Sequence, residues 1–291
     1  MTALNATFGD GRYRVEALLQ GKGLRQLYRG RDTVTGDTVM ISYDKQPKHT
    51  TIEEFVDTTG ARAPGVLDLM FAGPPDDKDL WFKWGVIEQP PRGTEWLPAV
   101  LGQYPEDSAA DAVPRRLPSF DPATALPNAL RLGRTAGRIL GDNAGGGVRR
   151  GTLLTRVRPE TMWVARGTDG ALEVRALSQR SELMFAASYV TGFVWPVFDR
   201  YYYPPEVGWK RPTVDDRALV FSLSIMIAEW ATGLYPFATK DYSIGPMEDQ
   251  QVPLDLPERL AALLGAGMRI DVEQRPRLKP FLTELDALDQ R

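Results

Sequence analysis

Apolar and polar residues alternate along most of the chain up to about residue 90, with the period of a half-buried β-strand. Tyr13, Val15, Ala17 and Leu19 are the clearest example, because charged residues stand at two of the positions between them. Short turns rich in Gly, Pro and Asp separate such stretches. Five strands are predicted here, over residues 13–19, 24–29, 38–43, 66–72 and 80–88.

Helical periodicity replaces the alternation in the second part of the chain. A helix is predicted from about residue 129, a buried helix over residues 218–230, and two amphipathic helices near the end. Two short strands, over residues 162–165 and 172–177, interrupt the helices. Residues 99–128 lack periodicity and are predicted to be an irregular insertion. A small β-rich part followed by a larger helical part indicates the α+β class.

Composition excludes several kinds of chemistry. The chain of 291 residues has a formal net charge of −3, which argues against nucleic-acid binding because phosphate neutralisation needs a basic surface. It has no cysteine and a single histidine, His49, so thiol nucleophiles, disulfides, cysteine-ligated metals and multi-histidine zinc sites are excluded. His49 stands in a polar stretch and is predicted to be a solvated surface residue. For other metals and for cofactors, the motif positions described below lead us to expect none.

No stretch of the sequence has the length and apolar character of a membrane span. The most apolar one, residues 218–230, is shorter than the roughly 20 residues that a bilayer requires. Residues 1–7 lack both the basic start and the apolar run of a secretory signal peptide. The expected location is therefore the cytoplasm, without membrane insertion.

Six short motifs follow one another in the order and at the spacing that protein kinases show. They extend from a glycine-containing turn in the first strands to an Arg-Pro pair near the end: residues 18–29, 32–39, 158–160, 204–206, 222–237 and 271–276. The chain thus resembles bacterial Ser/Thr protein kinases over residues 11–288, apart from residues 99–128. The resemblance implies a bilobal protein-kinase-like fold, with a small β-rich N-lobe over residues 1–88 and a larger α-helical C-lobe over residues 89–291.

The resemblance places unsuitable residues at the positions that hold ATP. A protein kinase covers the phosphates with a glycine-rich loop and contacts them with a lysine on the third strand. The three loop glycines correspond here to Gln20, Lys22 and Arg25, and the lysine corresponds to Ser42. Side chains thus stand where backbone must approach phosphate closely, and Ser42 carries no charge. Nucleotide binding is therefore expected to be weak or absent.

The positions for proton transfer and magnesium are altered as well. The catalytic base of a kinase corresponds to Arg156, the metal-binding asparagine to Thr161 and the metal-binding aspartate to Ala176. A guanidinium cannot accept a proton at ordinary pH, and Ala176 offers no oxygen ligand for magnesium. The resemblance therefore implies a pseudokinase, a catalytically inactive domain that acts in bacterial signalling as a protein-binding scaffold or allosteric regulator.

Two further features of the resemblance concern structure and partner binding. Glu206 and Arg275 correspond to a buried ion pair that, in kinases, ties the activation segment to the late helices. Aromatic residues are frequent around the segment where kinases dock their substrates, and exposed rings there would form a surface for a protein partner. The candidate surface consists of Trp195, Tyr201, Tyr202, Tyr203 and Trp209.

Two other functions remain open. One is a phosphotransferase with relocated catalytic groups, in which Lys45 and Glu173 replace the missing lysine and carboxylate. The other is a small-molecule or anion sensor, in which Arg156 or Arg158 grips a ligand between the lobes. Aromatic side chains that fill the cleft would argue against the sensor.

Overall fold

The small lobe is a six-stranded antiparallel sheet, and the large lobe combines a three-stranded sheet with helices. These features are seen in a computed structural model of the chain. The residues that it describes are 4–20, 27–44, 64–80, 84–100, 121–144, 157, 159–178, 202, 204–208, 215–237, 251 and 253–289.

The sheet of the small lobe has the spatial order β1-β2-β3-β4-β6-β5. Its strands are β1 (Thr7–Phe8), β2 (Tyr13–Gln20), β3 (Leu27–Asp32), β4 (Thr38–Asp44), β5 (Asp68–Gly73) and β6 (Trp84–Gln89). One face packs around Phe8, Tyr13, Tyr28 and Ile41, and the other face turns toward the large lobe. The five predicted strands are present with shifted ends, whereas the short edge strand β1 has too few residues to show an alternation.

Asp32 closes the turn between β3 and β4 and ties it to the preceding strand. Its side chain is only 2% exposed and accepts hydrogen bonds from the backbone N–H groups of Val34 and Thr35. The guanidinium of Arg12 donates to the same carboxylate, from Nε at 3.1 Å and from Nη2 at 2.9 Å. The hydrogen bond from Arg12 lowers the pKa of Asp32 below its ordinary value, and the two backbone donors add to this effect against the opposing effect of burial.

We expect Asp32→Asn to make the protein less sensitive to acid. Because the folded-state pKa is depressed, the ionised carboxylate stabilises the fold above its ordinary pKa of about 4, and this stabilisation is lost as the pH falls through the folded-state pKa. Urea unfolding at pH 7 and at several lower pH values should show a shallower decline for the variant than for the wild type. Parallel declines of the two proteins would contradict this expectation.

The described part of the large lobe contains three strands and five helices. Their bounds are β7 (Glu95–Trp96), α1 (Leu97–Val100), α2 (Pro122–Ala144), β8 (Met162–Arg166), β9 (Leu172–Leu177), α3 (Asp216–Thr232), α4 (Glu258–Gly267) and α5 (Leu278–Asp289). Helix α3 lies at the centre and contacts α2, α4 and α5. The antiparallel sheet β7-β8-β9 packs against α2 and faces the small lobe.

Helix α3 is buried because its sequence is apolar on nearly every side, as predicted for residues 218–230. Asp215 caps its start by accepting a hydrogen bond from the N–H of Arg217 at 2.9 Å. Gly233 ends it in the left-handed conformation, with φ of 69°. Helix α2 approaches closely at Gly133, where a Cβ atom would lie 2.4 Å from Ile227 Cδ1. Neither α3 nor any other helix in the described ranges is long and apolar enough to cross a bilayer.

Helix α2 begins at Pro122, earlier than the predicted residue 129. Asp121 accepts a hydrogen bond from the N–H of Ala123 at 2.9 Å, and Pro122 occupies the first helical position, where its missing N–H is not needed. The irregular insertion predicted for residues 99–128 is therefore wrong at its C-terminal end. Pro127 inside the helix concealed the helical pattern. Residues 101–120 lie outside the described part of the chain.

Candidate functional site

The cleft between the lobes is filled by apolar side chains, two of them tryptophans. Three side chains come from each lobe: Leu27, Met40, Leu67, Trp96, Trp163 and Ala176. None of the six is more than 8% exposed. We call these residues the cleft cluster. It lies between the lobes, includes Ala176 and adjoins Ser42, two positions that the resemblance assigned to magnesium and ATP binding.

Hydrogen bonds join the two lobes beside the cleft cluster. The N–H of Leu67 donates to the carbonyl of Leu177 at 2.9 Å, and the N–H of Leu177 donates to the carbonyl of Gly65 at 2.8 Å. The side-chain amide of Asn143, on α2, donates to the carbonyl of Pro64 at 2.8 Å. The segment before β5 is thus bonded to both the sheet and the first long helix of the large lobe.

Two of the positions at which this chain has lost a kinase's functional residue lie in this cleft. Ser42 is 3% exposed on β4, opposite Leu27 of β3 and Val86 of β6. Its Oγ has no hydrogen-bond partner in the part of the chain that the structure describes. Ala176 belongs to the cleft cluster itself. Both positions are neutral and enclosed, and an isolated charge in such surroundings is costly.

Thr161, the residue at the position of the metal-binding asparagine, is fully buried at the end of a short 3₁₀ turn. Its carbonyl accepts a hydrogen bond from the N–H of Ser178 at 2.7 Å. This bond draws together the start of β8 and the end of β9. The backbone of Thr161 therefore stabilises the pairing of these two strands at their end.

The glycine-loop and catalytic-loop positions are described only in part. Gln20 is the last residue of β2 and pairs with Leu27 of β3. The predicted roles of the others stay predictions, because those residues lie outside the described part of the chain: Lys22, Arg25, Lys45, His49, Arg156 and Arg158.

A buried carboxylate, Glu88, lies in the cleft, and sequence reasoning did not single it out. Glu88 is fully buried on β6 and pairs in register with Met40 of the cleft cluster. Its Oε2 accepts a hydrogen bond from Ser178 Oγ at 2.6 Å, so the lobes are also joined through side chains. An acidic residue at the end of a predicted strand is usually solvated, and the sequence carries no signal that distinguishes Glu88 from that case.

Glu173, the carboxylate of the alternative phosphotransferase, lies away from the cleft cluster. Its oxygens bind Arg131 Nη1 and Arg175 Nη2, each at 2.7 Å. Along β9 it alternates with Val174 and Ala176, which pack into the core and the cleft cluster. No three His, Asp or Glu side chains come together as a metal site would require within the described ranges.

Glu206 and Arg275 form a two-pronged ion pair. Arg275 Nη1 donates to Glu206 Oε1 at 2.6 Å, and Nη2 donates to Oε2 at 3.0 Å. The Arg275 side chain is 0% exposed and its guanidinium carbon lies 4.5 Å from the ring centre of Phe221 on α3. The pair therefore fastens the 3₁₀ turn Pro205–Gly208 to the central helix.

Tyr202, the one member of the aromatic candidate surface within the described residues, is a core residue. It is 8% exposed and packs in the main core of the large lobe. Its hydroxyl donates to Glu229 Oε2 on α3 at 2.7 Å. The prediction of a partner surface is wrong at Tyr202, because its hydroxyl is hydrogen-bonded to Glu229 and its ring is buried. The other members lie outside the described residues: Trp195, Tyr201, Tyr203 and Trp209.

Solved structures with the same architecture come from a bacterial kinase. One structure of the Mycobacterium tuberculosis PknI kinase domain, a double mutant, matches this chain with a TM-score of 0.62 at 15% sequence identity. A second double mutant of that domain matches with a TM-score of 0.58 at 16% identity. Each match covers 99% of this chain and 99% of the PknI chain. No protein-family model and no curated protein matches the sequence.

These matches confirm the predicted fold class. The chain has the mixed α+β, bilobal protein kinase fold, with a β-rich small lobe and a helical large lobe. At identities of 15% and 16%, the likeness defines the fold.

Proposed function

We propose that this protein is a pseudokinase, a catalytically inactive kinase-like domain that works by binding another protein. The observation that carries the proposal is the cleft cluster. Met40 and Trp163, 2% and 7% exposed, fill the space between the lobes. A nucleotide that needed this space would have to displace these side chains from their packing and expose apolar surface to water, which is unfavourable.

The charges in the cleft support the same proposal. Magnesium-bound triphosphate needs a lysine for its phosphates and carboxylate or amide oxygens for its metal. Ser42 and Ala176 are neutral, and the carboxylate of Glu88 is bonded to Ser178. Ser42 therefore cannot replace the phosphate-binding lysine, and Ala176 cannot replace a metal ligand. Glu173 is held by Arg131 and Arg175 outside the cleft cluster, which argues against the relocated phosphotransferase.

The packed cleft also argues against the small-molecule sensor. Ligand sites are concave and leave room for the ligand, whereas Trp96 and Trp163 occupy this one. The segment between β6 and β7 contains Pro90 and Pro91, which have no backbone N–H to offer a ligand.

We place the proposed protein-binding role in bacterial cytoplasmic signalling, on the strength of the motif resemblance and the bacterial origin of PknI.

A thermal-shift experiment with ATP and magnesium tests the proposal. We expect the melting temperature to stay unchanged at millimolar ATP·Mg²⁺, because a ligand that does not bind the native state cannot stabilise it. An active bacterial Ser/Thr kinase domain in the same buffer serves as the positive control. A rise of several degrees that depends on ATP concentration, or transfer of radiolabelled phosphate to any acceptor, would overturn the proposal.

A further inference from the structure

A hollow lined by arginines lies on the large lobe, between helix α2 and strand β9. Its volume is about 380 Å³. Four arginines and one glutamate supply its charged lining: Arg131, Arg134, Arg138, Arg175 and Glu173. The residues from α2 share one face of that helix, since they are three, four and seven positions apart. The residues from β9 alternate with those that face the core and the cleft cluster.

Carboxylates on two sides hold the arginine side chains in place. Glu173 binds both Arg131 and Arg175 at 2.7 Å. Asp286 of α5 accepts hydrogen bonds from Arg134 Nε at 2.6 Å and from Arg138 Nη2 at 2.8 Å. Guanidinium groups held in this way lose less conformational entropy when they bind a ligand.

The arginines of the hollow belong to a network of ion pairs. Among the described residues, Asp169, Glu173 and Asp286 are carboxylates of this network. Burial raises the pKa of Asp286, but the hydrogen bonds from Arg138 and Arg134 lower it more, so this carboxyl stays ionised at neutral pH.

Arg138 and Arg175 are the side chains that a ligand would meet first. Their side chains are 54% and 52% exposed. Each binds its carboxylate through Nη2, and a guanidinium has five N–H donors in a planar fork that matches carboxylate and phosphate oxygens. Each guanidinium therefore keeps N–H donors for an anionic group in the hollow that both residues line, while its ion pair stays in place.

We propose that this hollow binds a carboxylate or phosphate group carried by a side chain of an acidic protein segment. The choice of a protein as the ligand rests on the proposed protein-binding function. An extended polyanion such as a nucleic acid suits the hollow less well, because Glu173 and Asp286 would repel neighbouring phosphates. The lining is mainly charged, whereas sites for small organic ligands are mainly apolar.

Three fluorescently labelled peptides of one sequence test the proposal, with phosphoserine, glutamate or serine at the central position. We expect the full-length protein to bind one or both anionic peptides, and to bind the serine peptide at least about tenfold more weakly. The order of the affinities for the three peptides identifies the preferred anionic group. Competition by inorganic phosphate shows whether a phosphate group binds the hollow without a peptide. Affinity should fall with added salt.

The double variant Arg138→Gln/Arg175→Gln should lose about tenfold or more in affinity for the anionic peptide. Arg259→Gln is the matched control, because Arg259 is 53% exposed and pairs with Glu284 elsewhere on the large lobe. It should bind as the wild type does, and circular dichroism should show that all variants are folded. Absence of binding up to about 1 mM, equal affinity in the double variant, or tighter binding of single-stranded DNA would overturn the inference. None of these outcomes alters the ATP result, so the two proposals fail separately.

Discussion

Arg275→Met is expected to lower the free energy of unfolding by about 3–5 kcal/mol, the usual cost of breaking a buried ion pair. Arg275 is 0% exposed and makes two hydrogen bonds to Glu206. It also donates to the carbonyls of Arg269 and Ile270. Methionine keeps much of the side-chain volume, so the loss reports mainly on the unpaired carboxylate and the two carbonyls.

Arg277→Met provides the matched control for this prediction. Arg277 lies two residues further along, is 53% exposed and pairs with Asp215 and Asp216 at the surface. Exposed pairs contribute little, so this variant should lose only a small fraction of the stability that Arg275→Met loses. Urea unfolding followed by circular dichroism measures both variants. Equal losses at the two positions would show that the Glu206–Arg275 pair does not hold the fold together.

Trp163→Ala is expected to destabilise the protein by about 3–5 kcal/mol, because it leaves a cavity in the cleft cluster that the two lobes must collapse to fill. Trp163 is 7% exposed and lies on β8, opposite Ala176 of β9. It belongs to the same packed cluster as Leu27 and Met40 of the small lobe. The loss should therefore weaken the attachment between the lobes as well as the sheet that carries the residue.

Two further variants, Trp163→Phe and Val34→Ala, serve as controls for the loss of stability expected of Trp163→Ala. The phenylalanine variant keeps an aromatic ring in the cluster and should lose distinctly less than the alanine variant. Val34 is 75% exposed, and its truncation should change the stability by less than about 0.5 kcal/mol. Urea unfolding by the same method applies to all three. A loss for Trp163→Ala as small as that for Val34→Ala would contradict the close packing of the cleft.

Sequence periodicity was sufficient for the elements whose burial is regular. Strand β9 was predicted with its observed bounds, because apolar residues alternate along it and the turn at Gly170, with φ of 81°, ends the hairpin. Helix α3 was predicted because its apolar run is too long for a strand. Helix α2 was predicted too late, since Pro127 interrupts the helical pattern soon after the Asp121–Pro122 start signal.

The contents of the cleft could not be read from the sequence. Motif spacing alone was enough to identify the altered kinase positions, such as Ser42 and Ala176. The cleft cluster joins residues from six separate segments, and each of them taken alone is an ordinary apolar residue. Glu88 was missed for a related reason: its burial depends on Ser178, which lies 90 positions away.

The hydrogen bonds of Leu67 and Leu177 have a consequence for motion. These amides sit where the small and large lobes meet, and rotation of one lobe against the other would break them while wetting two indole rings. Their protons should thus exchange with solvent only when the whole domain unfolds. We therefore expect little hinge-bending between the lobes, so that the proposed protein-binding role would use a surface that already has its final form.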